Sequence, residues 1–168
     1  MRERVLITVK TYPVLSRKYA ELVCTAGVTE AGEWRRLYPI QFRQLQDGQK
    51  YRKYQWVEAD IEKSDTDDRP ESFKIVGDSL RTLGPPLSTA RHWAERKRAF
   101  SDKVECHERL DPLIARAHRN ELSLALFKPA RILRFEHEET AREWDRDRLD
   151  KLELEKRQLR LFEDEESV

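Results

Sequence analysis

The chain has 168 residues with 33 Lys or Arg against 32 Asp or Glu, a net charge of +1, and a charged share of 39% beside a hydrophobic share of 38%. That length fits one compact domain with a tail, and so low a hydrophobic share demands a densely ionic surface or an unpacked segment. No apolar run approaches the roughly 18 residues that span a bilayer, Val5 to Val9 is too short for a signal peptide, and two cysteines, Cys24 and Cys106, do not make a disulfide scaffold, so the reading is a reduced, cytoplasmic protein.

In chain order, Val5 to Lys10 alternates as a first strand, and Tyr12-Pro13 turns it at an extended corner. Ser16-Arg17-Lys18-Tyr19 makes a basic connection whose two cations and ring can face a phosphate. The stretch Glu21 to Ile40 organises the rest: Glu21 to Val28 is rich in β-formers, a Thr-Glu-Ala-Gly turn follows, and Trp34 to Tyr38 returns as the second arm of a hairpin. Alternation places Trp34, Arg36 and Tyr38 on one face of that arm, and Arg35 and Leu37 on the other. Trp34 and Tyr38 cannot both be core unless Arg36 is buried with them, so the pattern predicts an exposed aromatic and basic face with Leu37 inward. A bulge near Gly32 would change that register.

Tyr38-Pro39 should end the sheet, because proline cannot donate to a ladder, and Gln41 to Gln46 then makes one helical turn. Tyr51 to Lys63 reads as a strand with Val57, Ala59 and Ile61 on one face and Trp56, Glu58, Asp60 and Glu62 on the other. Ser64 to Arg69 is an acidic loop, and Glu71 to Val76 is the strand that returns from it. After the breaker Gly84-Pro85-Pro86, Ser88 or Thr89 caps a helix through Trp93 to about Lys103, with Arg91, Arg96, Lys97 and Arg98 on its exposed stripe. Asp111 caps a second helix, with Pro112 in its first turn, ending near Asn120. Ser123 to Phe127 and Arg131 to Glu136 read as two strands that bring the chain back onto the sheet. From Glu138 the chain is a charged tail with leucines at 149, 152, 154, 159 and 161 but no heptad, partly helical or disordered.

Together VKTYP, CTAGVTEAGEWRRLYPI, YRKYQWVEADIEK and SLALFKPARIL resemble a family of bacterial proteins, over most of residues 5 to 136. That resemblance implies a small β-barrel of the dual OB-like type, often encoded near mobile-element or phage-defence genes, with the barrel surface around Trp34, Arg35, Arg36 and Tyr38 as a binding face.

The net charge hides an asymmetry: residues 1 to 60 hold 11 Lys or Arg against 7 Asp or Glu, whereas residues 135 to 168 hold 7 against 13. A basic body with an acidic tail fits a nucleic-acid binder whose tail screens it. Binding a single strand needs cations for phosphates and flat rings for bases, and the front half interleaves both. Open barrels of the OB type bind oligonucleotides on such a strand face. The candidate contacts are Arg17, Lys18, Tyr19, Trp34, Arg35, Arg36, Tyr38, Arg43, Lys53 and Trp56, with single strands favoured over duplex.

Catalytic and metal signals are poor. Cys106-His107 with His118 lacks the paired spacings of a zinc site, even with Cys24 or His137 as a fourth ligand. Asp60-Ile61-Glu62-Lys63 misses a nuclease motif by one position, and Asp65, Asp67 and Asp68 need further oxygens to hold magnesium. No glycine-rich phosphate loop, serine elbow, or cysteine and histidine pairing with a third orienting group occurs. No cofactor is expected.

The reading is therefore an α+β protein: a small, mostly antiparallel OB- or PUA-like β-barrel of five to seven strands over residues 1–137, with two packed helices inserted at about 88–120 and a charged tail over 138–168. It is read as a non-catalytic nucleic-acid-binding module. The alternatives are a protein-interaction subunit docking a partner through residues 140–168, and a barrel-pocket enzyme or reader of nucleotides or modified bases. The oligomeric state is open.

Overall fold

Nine consecutive strand-forming residues open the chain as β1 (Arg2–Lys10), whose alternation decides which side chains face the barrel interior. A computed structural model gives the structure of the protein and describes residues 1–11, 14–16 and 20–139. After β1 come β2 (Val14–Ser16), β3 (Ala20–Thr29), β4 (Trp34–Ile40), β5 (Trp56–Lys63), β6 (Ser72–Ile75) and β7 (Arg81–Leu83). β1 pairs antiparallel with both β3 and β5, β3 with β4, and β6 antiparallel with β5 but parallel with β4. That path closes on itself as a five-stranded barrel, with β7 added to β5 and β2 to β3. The α+β barrel expected from the alternation is the fold observed.

The phase of each strand fills the interior. Val5 and Ile7 from β1, Leu37 from β4, and Val57, Ala59 and Ile61 from β5 meet Tyr51 and Leu80 in one buried cluster. Burying each large aliphatic side chain contributes roughly 1.5–3 kcal/mol. The Tyr51 hydroxyl lies 2.5 Å from Thr25 Oγ1, so this polar group enters the core with a partner. Burial also pushes the Tyr51 phenol well above its ordinary pKa. Gly27 sits where β3 runs against the Leu6 backbone oxygen, leaving no room for a Cβ.

A second layer lies on the outer wall. Leu6 and Val28, out of phase with the interior residues, pack with Val104, and Trp34, Trp56, Leu87, Phe100 and Leu126 close around them. Residues 87–126 are thus held against β1, β3, β4 and β5. Within them α1 (Ala90–Arg96) leads into a π-helical turn, Lys97–Ser101, and α2 spans Leu110–His118.

Several local expectations need correction. Arg91, His92 and Trp93 have φ of 51°, 54° and 65°, so the first helix opens with a left-handed turn rather than a regular right-handed start. Arg109, not Asp111, occupies the N-cap of α2. β4 runs through Pro39 to Ile40, because the β3 irregularity between Val23 and Thr25 lies opposite, where the ladder is already broken. The bulge is there and not near Gly32. Leu126–Phe127 forms β9, which pairs in parallel with β8 (Cys106–His107) and not with the barrel. Arg131 to Glu136 forms no strand and is exposed. The tail from residue 140 lies outside the described residues.

Candidate nucleic-acid interface

The hairpin face keeps its expected phase but not its expected exposure. Leu37 points into the core at 1% exposure, as its alternation requires. Trp34, on the opposite face, meets Phe100 edge-on with ring centroids 5.6 Å apart. Arg36 reaches Cys24 Sγ at 3.4 Å through Nη1 and Ser123 Oγ at 3.1 Å through Nη2, while its Nε is shielded from solvent with no partner. Ser123 is itself fixed, its Oγ donating to the buried Glu71 carboxylate at 2.7 Å. The second layer therefore covers most of the face predicted to be open, and only Tyr38, 40% exposed, remains presented there.

Arg35 is committed more firmly still. Its Nε and Nη2 donate to the two oxygens of Glu3 at 2.7 and 2.9 Å, and Nη2 also donates to Glu33 at 2.8 Å. The guanidinium is 12% exposed and lies 4.9 Å from the Phe73 centroid. These carboxylates, Glu3 above all, hold its pKa above the ordinary value. Trp56, expected on the outer face of β5, packs into the second layer. In this arrangement Trp34, Arg35, Arg36 and Trp56 each make contacts within the fold, and each stays partly exposed. Alternation gives the phase of a strand, not what will later cover it.

Arg17, Lys18 and Tyr19 lie outside the described residues. Arg43 sits in the 3-10 turn Phe42–Gln44. Lys53 is exposed in the connection before β5. The bonds from Ile7 N–H to the Gln55 carbonyl and from Tyr54 N–H to the Ile7 carbonyl run that connection alongside β1, whose end carries a residue that strand reading passes over, Lys10. The Lys10 Nζ lies 3.4 Å from the centroid of Phe42 and 5.7 Å from that of Tyr51. Burial, and then the charge of Lys53, lower its pKa. Among the described residues neither lysine forms an ion pair, whereas Arg2 and Arg4 hold Glu58 and Arg35 holds Glu3. The end of β1 thus presents the Lys10 charge over an aromatic floor, with Lys53 in the neighbouring connection. The sequence signal was present in the Lys10-Thr11-Tyr12 corner, but nothing local ties residue 10 to residue 53.

The acidic loop is neutralised from within. Arg69 donates to both Asp67 oxygens, Ser72 Oγ adds a bond at 2.8 Å, and Lys74 pairs with Asp65. Arg69 first, then Ser72, holds the Asp67 carboxyl well below the usual range. Among the described residues no group of three or more His, Cys, Asp or Glu is placed to hold a metal ion. The Tyr51 cluster fills the barrel interior; one cleft of about 360 Å³ lies between β4 and residues 103–125, and another of about 370 Å³ opens beside Ile40, Gln41, Ile75 and Leu80.

No helix among the described residues is long and apolar enough to cross a membrane. The sequence model of a family described as a domain of unknown function (DUF8758) matches residues 1–102, the span that carries β1 to β7 and α1. No curated protein and no solved structure matches the chain.

Proposed function

The chain belongs to this family of unknown function, DUF8758, and we propose that its barrel is a non-catalytic nucleic-acid-binding module that takes a phosphate backbone where Lys10 and Lys53 stand together. The Lys10 amine over the Phe42 and Tyr51 rings, with exposed Lys53 in the connection that bonds alongside β1 at Ile7, carries the reading. Holding like charges close costs free energy in the free protein, and a polyanion that sits between them removes that cost and releases its own counterions. Exposed Arg52 precedes Lys53 and extends the positive edge. The ring of Phe42 lies beneath the Lys10 amine.

Fluorescence anisotropy of labelled oligonucleotides at two salt concentrations tests this. Binding that weakens with salt, and weakens again in Lys10→Ala and Lys53→Ala, is the expected result. Affinity that is absent, or indifferent to both lysines, overturns it. The setting in bacterial defence or mobile-element systems rests on the resemblance of VKTYP and the hairpin alone, and the cytoplasmic placement on two free thiols, Cys24 and Cys106.

One observation favours a second reading, a subunit that docks a partner through its C-terminal part. Ile132, Leu133 and Phe135 are 75%, 77% and 83% exposed immediately before the charged tail. Pull-down with the full chain and with a chain ending at residue 130 separates the two: a stoichiometric partner lost on truncation supports docking.

A further inference from the structure

The turn that carries Lys53 also carries a strained aromatic residue. Gln55 N–H donates to the Arg52 carbonyl at 3.3 Å, closing a four-residue turn with Tyr54 at its third position and φ of 61°, where glycine is the usual occupant. The conformation is fixed from several sides. Tyr54 N–H donates to the Ile7 carbonyl at 2.6 Å, Leu87 N–H donates to the Tyr54 carbonyl at 2.6 Å, and Gln55 Oε1 accepts from Arg52 N–H at 2.9 Å.

What this strain aims is a pair of rings. Tyr54 meets Trp93 edge-on with centroids 5.9 Å apart, and Trp93 is itself held at φ of 65° within the left-handed turn of α1. The Arg96 guanidinium lies 4.1 Å from the Tyr54 centroid and 5.0 Å from that of Trp93, anchored by Nε donating to the Leu87 carbonyl at 2.9 Å. Two aromatic residues thus hold conformations that bulky side chains rarely adopt, on either side of one cation. Trp93 nevertheless stays 48% exposed, so the strain is not offset by full burial of the indole.

We propose that Trp93, backed by Tyr54 and Arg96, is a stacking platform for an unpaired nucleobase, and that the preferred ligand of the barrel is a single-stranded nucleic acid. This rests on the polyanion reading above and adds to it. Lys53 and Tyr54 are neighbours in one turn, so a strand whose phosphates lie on the lysines carries its bases past the indole. An exposed ring of this kind takes any base with a free face, whereas bases paired in a duplex do not offer theirs.

The test compares a labelled single strand and a duplex of equal length, by anisotropy at fixed salt, with the wild type, Trp93→Ala and Trp93→Phe. The expected result is a loss of about tenfold or more in single-strand affinity for Trp93→Ala, with recovery in Trp93→Phe and little change for duplex. Equal effects on both ligands, or no effect of Trp93→Ala on a wild type that binds, overturn the platform while leaving the lysine site standing. Absence of wild-type binding to either ligand removes the polyanion reading and the platform with it.

Discussion

Lys10 holds its ammonium 3.4 Å from the centre of the Phe42 ring, 32 positions away in sequence, where burial, and then the charge of Lys53, lower its pKa. A cation on an aromatic face gains from the ring quadrupole, but here a second cation opposes it. The sign of the resulting linkage is definite. Lys10 has a folded pKa below its unfolded value, so while charged it subtracts from stability, and that loss is relieved as pH rises through the folded and then the unfolded value. A bound polyanion reverses the effect and raises the pKa. NMR titration of the Lys10 amine should give a value below 10.5 in the free protein and a higher one with oligonucleotide bound.

Arg35→Ala should destabilise the protein without altering its affinity for oligonucleotides. Removing the guanidinium leaves the Glu3 carboxylate, 18% exposed, without its two strong donors. A loss of about 2–3 kcal/mol in urea denaturation is expected. Binding measured on the folded variant should match the wild type.

Trp34→Ala should behave in the same way for a different reason. The indole packs on Phe100 beside Val28 and Val104, so truncation opens a gap between the barrel wall and the second layer. Loss of about 2–4 kcal/mol is the expected cost, read as a lowered midpoint of unfolding. A variant as stable as the wild type but deficient in binding would return Trp34 to the ligand face.

Asp67 supplies an acid-side signature. Its carboxyl is held well below the usual carboxylate range by Arg69 and Ser72. A depressed folded pKa contributes stability that is present above the unfolded value, about 3.9, and is lost as pH falls below it. Asp67→Asn should therefore be less stable at neutral pH and lose less stability on acidification. Denaturation midpoints at pH 7 and pH 3 check both parts.

The barrel was legible because its strands state their phase: Val5 and Ile7, Leu37, and Val57, Ala59 and Ile61 each alternate with polar or outward residues and do point inward. The closure was less legible, since it runs through the four-residue β6, which pairs parallel with β4 and antiparallel with β5, and no local period encodes those partners. The surroundings of Trp34, Arg35 and Arg36 were not legible, because alternation cannot reveal a second layer assembled from residues 87–126, nor Glu3 arriving beside Arg35 from the start of the chain. Lys10 was passed over because its partner lies across a turn 43 positions later. Trp93 read as a helix residue, and only its left-handed turn shows it presented outward.

The most direct measurement is the salt dependence of oligonucleotide affinity for the wild type and for Lys10→Ala/Lys53→Ala. On a single strand the logarithm of the wild-type affinity should fall linearly with log salt, and the double variant should bind more weakly with a slope shallower by about 1.4, roughly 0.7 for each phosphate contact removed. Identical slopes and affinities in the two proteins would contradict the assignment of the phosphate site to these lysines, and no binding in either would contradict nucleic-acid binding itself.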